Sequence, residues 1–120
     1  MKIALIGYGK MGKTIEALAL ADGLEIALTI DADSTTLLTS GALTHCDGGI
    51  ECSRPDTAVE NILHCFRAGI PVVVGTTGWL DKLTEVNSAC KKHNGALFTL
   101  PISVSELISF LKLTNDWTRL

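Results

Sequence analysis

The sequence predicts an α/β fold built on a doubly wound parallel sheet. Three observations carry that prediction. A glycine-rich turn joins an apolar run to a helical pattern near the start of the chain. Short apolar runs then alternate with helices of about 10–15 residues as far as residue 99. An acid, Asp31, stands where the second of those runs stops.

Lys2–Ile6 reads as the first strand, and Met11, Ile15, Leu18 and Ala19 then share one face at helical spacing until Gly23. Glu25–Ile30 is the second strand. Residues 32–46 are polar and turn-rich, with Leu37, Leu38 and Leu43 as anchors, and read as loop with one short helix. Gly48–Cys52 is the third strand, weakened by its glycine pair. Ser53-Arg54-Pro55-Asp56 carries helix-start chemistry, and the helix buries Val59, Ile62, Leu63 and Phe66 before Arg67 and Gly69 end it. Pro71–Val74 is a continuous apolar strand, as expected where both sheet faces are covered. Leu80, Leu83, Val86 and Cys90 mark a further helix, stopped by Asn94-Gly95, and Ala96–Thr99 begins another strand.

The 120 residues suit one domain, and 47% hydrophobic with 19% charged residues suits a compact, folded one. With a net charge of −3, no cluster of Lys and Arg and few aromatics, the chain carries no nucleic-acid footprint. No apolar run reaches the length of a membrane span, and Lys10, Lys13 and Glu16 interrupt any signal-peptide core. Cys46, Cys52, Cys65 and Cys90 have no metal-ligand spacing and read as reduced thiols of a cytoplasmic protein. His64 lies in a helix and His93 near a helix end, both away from the strand ends, and these two and His45 read as structural or exposed. No catalytic residue and no metal site is assigned.

Ligands of doubly wound sheets sit beyond the C-terminal strand ends. Gly7-Tyr8-Gly9-Lys10-Met11-Gly12 has the G-x-G-x-x-G spacing, between a strand and a helix. In that setting Gly7 permits the turn, Gly9 lets backbone approach a pyrophosphate, and Gly12 lets the helix close on the strand. The helix N-terminus adds unpaired N–H groups and the positive end of its dipole. A glycine-rich βα connection without a ligand is the alternative. Asp31, nineteen positions after Gly12, can accept hydrogen bonds from the ribose hydroxyls of NAD, or simply cap the next turn. No Arg stands at 32–34 to receive a 2′-phosphate, which favours NADH over NADPH. Gly75-Thr76-Thr77-Gly78-Trp79 follows the fourth strand, with glycines for close approach and hydroxyls for hydrogen bonding; a Thr-capped turn has the same composition. Together these define a Rossmann-type NAD(P)-binding domain over residues 1–99.

Those segments resemble the dihydrodipicolinate reductase family over residues 1–98. Ile3-Ala4-Leu5-Ile6-Gly7-Tyr8-Gly9-Lys10-Met11-Gly12-Lys13-Thr14-Ile15 is similar to the family's opening. Ile50-Glu51-Cys52-Ser53-Arg54-Pro55-Asp56 resembles its third-strand segment, with Cys52 where the family usually has Phe or a similar apolar residue. Val72-Val73-Val74-Gly75-Thr76-Thr77-Gly78-Trp79 is the most specific piece. The resemblance implies NAD(P)H-dependent reduction of a cyclic imine from 4-hydroxy-tetrahydrodipicolinate to tetrahydrodipicolinate, on the way to diaminopimelate and lysine, by a homo-oligomer. It gives the pyrophosphate to Gly7–Gly12, the ribose to Asp31 and the nicotinamide side to Gly75, Thr76 and Thr77.

The family continues with an Asn-Phe-Ser loop and a second domain bearing a His-His-x-x-Lys type motif. Residues 100–120 depart from that pattern, leaving a sheet expected to be incomplete at its C-terminal end and a fragment without turnover. A reading-frame change is the expected origin. Removing one T from TTT TAC TCT ACC AAT TTC, which encodes Phe-Tyr-Ser-Thr-Asn-Phe, yields the Phe-Thr-Leu-Pro-Ile-Ser found at 98–103. Sequencing the gene across that point tests this. The tail also has helical features of its own: Ser103 and Glu106 form a capping-box pattern, and Val104, Leu107, Ile108 and Leu111 share a face.

Overall fold

A computed structural model describes residues 2–21, 23–31, 41–76 and 78–99. The expected tail at 100–120, Thr77 and the loop anchors Leu37 and Leu38 lie outside the described residues. The element order is β1 (Lys2–Ile6), α1 (Lys10–Ala21), β2 (Glu25–Ile30), a 3-10 turn (Ala42–His45), β3 (Gly48–Glu51), α2 (Pro55–Ala68), β4 (Val72–Val74), a 3-10 turn (Leu80–Lys82), α3 (Leu83–Lys92) and β5 (Leu97–Thr99).

The strands form one parallel sheet in the order β2-β1-β3-β4-β5. The chain winds one way from β1 to β2 and the other way from β3 onward, so the order reverses between β1 and β3. That is where the crevice of such sheets opens. Side chains alternate across β1 with the strand period of two. Ile3 and Leu5 join Ile50 and Val73 against Ile15 and Ala19 of α1. Ala4 and Ile6 join Val72 and Val74 against Ala58, Ile62, Cys65 and Phe66 of α2 and Val86 of α3. Each fully buried Ile or Phe contributes roughly 1.5–3 kcal/mol by leaving water, and these two layers hold the strand ends in register.

β2 contains one residue more than its partner requires. Ile3 pairs with Ile26 but Ala4 pairs with Leu28, so Ala27 is accommodated as an irregularity and Ile6 ends beside Ile30.

Several details differ from the sequence expectation. Met11 is 48% exposed rather than on the core face of α1, because the helix begins only at Lys10 and its first turn overhangs the strand ends. β3 stops at Glu51, since Cys52 has already turned toward the glycine loop. The glycine pair that weakens β3 has a packing reason: a Cβ on Gly49 would stand 3.1 Å from Cys65 Sγ, so α2 lies unusually close to the sheet there. The buried face of α2 is Ala58, Asn61, Ile62, Cys65 and Phe66, with Val59 and Leu63 only partly covered. Leu80 is exposed and precedes α3; Trp79 takes the buried position instead.

Candidate functional site

The turn after β1 is shaped by backbone meeting backbone. Gly7 adopts φ 104° and donates its N–H to Ile30 O at 2.7 Å, tying the turn to the end of β2. A Cβ on Gly7 would lie 2.6 Å from Cys52 O, and one on Gly12 would lie 2.3 Å from Gly7 O. Neither position can carry a side chain without displacing main chain. Gly9 is the opposite case: it is exposed, and a Cβ there would meet nothing within 4 Å. Lys13 N to Gly9 O, at 3.0 Å, opens the hydrogen-bond ladder of α1. The amides just before it have no partner further back in the helix, and the helix dipole adds positive potential beside that open space.

Tyr8 directs its side chain away from that space. Its hydroxyl donates to Glu16 Oε1 at 2.7 Å, its ring packs against the cluster of Ile3, Leu5 and Ile15, and Lys13 Nζ lies 5.6 Å from the ring centroid. The Glu16 hydrogen bond raises the Tyr8 pKa. Its main chain is therefore the part of Tyr8 within the turn's reach. Lys10 is exposed at the start of α1, and Asp31 is exposed directly after Ile30.

Beyond β3 and β4 a cleft of about 230 Å³ is lined by Met11, Cys52, Ser53, Pro55, Gly75 and Thr76. Gly75 donates its N–H to Glu51 O at 2.8 Å, and Thr76 O accepts from Trp79 Nε1 at 2.8 Å, so the buried indole fixes this turn from beneath. Thr76 Oγ1 is buried without a hydrogen-bond partner among the described residues. The Cys52 thiol donates to Gly7 O at 3.3 Å and so supports the glycine turn from the neighbouring strand. Burial, reinforced by the Glu51 charge, pushes that thiol up to about 12, so it is a neutral packing group.

The structure thus gathers the glycine turn, Gly75 and Thr76 around one crevice and sets Asp31 on the far side of the turn, at the end of β2. At about 4.8 Å per strand, the row from β2 to β4 spans roughly 14 Å. The cleft at the β4 end has room for a ring rather than for a whole dinucleotide. An elongated ligand with an acidic centre fits this layout: open amides in the middle, a carboxylate at one end, an apolar slot with an unmet hydroxyl at the other.

One polar cluster escapes sequence inspection. Glu51 is fully buried; its Oε1 accepts from Ser53 N at 2.9 Å, from the Ser53 hydroxyl and from Asn61 Nδ2 at 3.4 Å. Asn61 also donates to Ser53 Oγ at 3.0 Å, and Ser53 Oγ lies 2.9 Å from Thr57 Oγ1. The available signal is an acid at the end of an otherwise apolar strand, with an Asn on the core face of the following helix.

Comparison with known proteins follows the same outline. Residues 1–101 match the family described as dihydrodipicolinate reductase, N-terminus. The chain is 38% identical over 109 residues to a 4-hydroxy-tetrahydrodipicolinate reductase of Christiangramia forsetii, covering 87% of this chain and 45% of that protein. It is 39% identical over 92 residues to the protein of that name from Bifidobacterium longum subsp. infantis, covering 74% and 36%. The chain thus spans less than half the length of either relative. The crystal structure of a probable dehydrogenase from Thermotoga maritima superposes with a TM-score of 0.63 at 22% identity, covering 82% of this chain and 35% of that one, a likeness of fold.

Proposed function

Because this chain belongs to the dihydrodipicolinate reductase family, we propose that residues 1–99 are its NAD(P)H-binding unit. The observation that carries this reading is the open face at Gly9, framed by two glycines that backbone contact makes obligatory and followed at once by α1. Main-chain amides of Gly7–Gly12, including those of Tyr8, Lys10 and Met11, receive the diphosphate. Asp31 accepts from the ribose hydroxyls and repels a 2′-phosphate, so NADH is preferred to NADPH. Gly75, Thr76 and Thr77 border the nicotinamide, with Met11 and Cys52 forming the apolar side of its slot.

When bound, the reduced nicotinamide supplies a hydride donor. The chain's own part is to hold that donor at the cleft and keep water from it. The reaction served is reduction of a cyclic imine derived from 4-hydroxy-tetrahydrodipicolinate, giving tetrahydrodipicolinate, in a cytoplasmic homo-oligomer. The substrate is held by the further length that the relatives possess. Without an oriented acceptor, cofactor binding does not accelerate transfer, so residues 1–99 taken by themselves bind NADH with negligible turnover.

Titration with NADH, followed by nicotinamide fluorescence, tests the reading. Saturable binding, tighter than for NADPH, supports it; the absence of saturation in folded protein overturns it. Reductase activity from residues 1–99 alone would overturn the expectation of negligible turnover. Reduction of a different acceptor by the full-length protein would favour another dehydrogenase. Tight nucleotide binding by the full-length protein with no acceptor reduced would favour a non-catalytic nucleotide-binding module.

A further inference from the structure

Glu51 ends the middle strand of the sheet with a carboxylate that has no solvent exposure. Burying such a group is costly unless it is paired or well hydrogen-bonded. The ion pairs found among the described residues, Arg54 with Asp56 and His64 with Glu60, do not include it. Its donors, Ser53 N–H, the Ser53 hydroxyl and Asn61, all converge on Oε1, and Oε2 is buried with no partner among the described residues. Capping of α2 does not account for it, because the Thr57 hydroxyl already accepts from Arg54 N at 3.4 Å and returns a bond to Arg54 O at 3.2 Å.

What the carboxylate does fix is Ser53, which lines the cleft together with Gly75 and Thr76. Gly75 N–H is held by the main-chain carbonyl of Glu51, at the end of the β3–β4 pairing. The buried side-chain atoms left unpartnered among the described residues are Glu51 Oε2 and Thr76 Oγ1, which belong to adjacent strand ends.

We propose that Glu51 is a positioning residue for the ring-bearing half of the dinucleotide. It acts through Ser53, holding that wall in shape before the ring arrives. The inference rests on the cofactor reading above and adds to it that the two halves of the ligand depend on different residues.

The test compares NADH with ADP, which lacks the nicotinamide half, on the 120-residue chain. Glu51→Met keeps the length of the side chain but removes the acceptor for the Ser53 and Asn61 donors. It should raise the Kd for NADH about tenfold and leave the Kd for ADP within about twofold. Ser53→Ala should show the same split with a smaller rise. The double variant should be no worse than Glu51→Met alone, because the two act as one unit. Equal weakening of NADH and ADP would reduce Glu51 to a structural role and overturn the proposal; so would unchanged NADH affinity. Should Glu51→Met fail to fold, Ser53→Ala carries the test, and unchanged NADH affinity in that variant overturns it. Failure of the unmodified chain to bind either ligand would instead strike down the cofactor reading itself.

Discussion

Two glycine-bearing turns face the same crevice, and their glycines are there for different reasons. After β1, Gly7 and Gly12 sit where main chain already occupies the space of a side chain, at 2.6 and 2.3 Å. After β4, Gly75 has a negative φ, and a Cβ on it would meet Glu51 O at 3.6 Å and Met11 Sδ at 3.8 Å, which is ordinary contact. Gly7 and Gly12 are needed for the first turn to fold. The second turn also has a glycine of that kind in Gly78, with φ 85°, but Gly75 is kept because an added methyl would narrow the slot between β4 and Met11. A motif read from spacing alone does not separate these two uses.

The sharpest way to break that comparison is Gly12→Ala. Overpacking against backbone should cost about 3 kcal/mol and lower the melting temperature by roughly 10–20 °C, with nucleotide binding lost alongside. A melting temperature unchanged by this variant would show that α1 can shift freely, and the distinction would fail.

Titration of the thiols gives the next effect. Burial pushes Cys52, and likewise Cys65, up to about 12 from an ordinary value of 9.0. Both are neutral in the fold and ionise more readily in the unfolded chain. Their stabilising share is therefore complete below about pH 9 and falls as pH rises toward 12, by about 1.4 kcal/mol per pH unit per thiol. Cys52 belongs to the first turn through its bond to Gly7 O, so Cys52→Ala should flatten the loss of melting temperature between pH 9 and 11.

At the other end of the row, Asp31→Ala should weaken NADH about tenfold and narrow the preference over NADPH. Parallel titrations with the two nucleotides check this. Gly75→Ala should move stability least, by under about 1 kcal/mol, yet weaken NADH several-fold while sparing ADP. Loss of ADP binding as well would mean that the two turns are not separable.

The elements whose periodicity is set by one packing surface were legible: β1 and β2 run over the expected residues, and α2 stops at Gly69, which takes φ 75°. The glycine turn was legible because spacing, strand and helix coincide in sequence. Met11 was not, since a helix face cannot be told from a cleft wall in the first turn. Leu80 was misplaced because Trp79, by directing its indole to Thr76 O, buries itself one residue early. The Glu51–Asn61 contact joins residues ten apart across a strand and a helix, a distance at which neither strand nor helix period gives a signal.

The irregularity in β2 does not displace the acid that follows it. The pairs on either side of Ala27, Ile3 with Ile26 and Ala4 with Leu28, are consecutive on β1, so the strand beyond the extra residue keeps β1's alternation and Ile30 still ends beside Ile6. The alanine is absorbed where it stands, and deleting it would straighten β2 while leaving Asp31 next after Ile30 at the same crest.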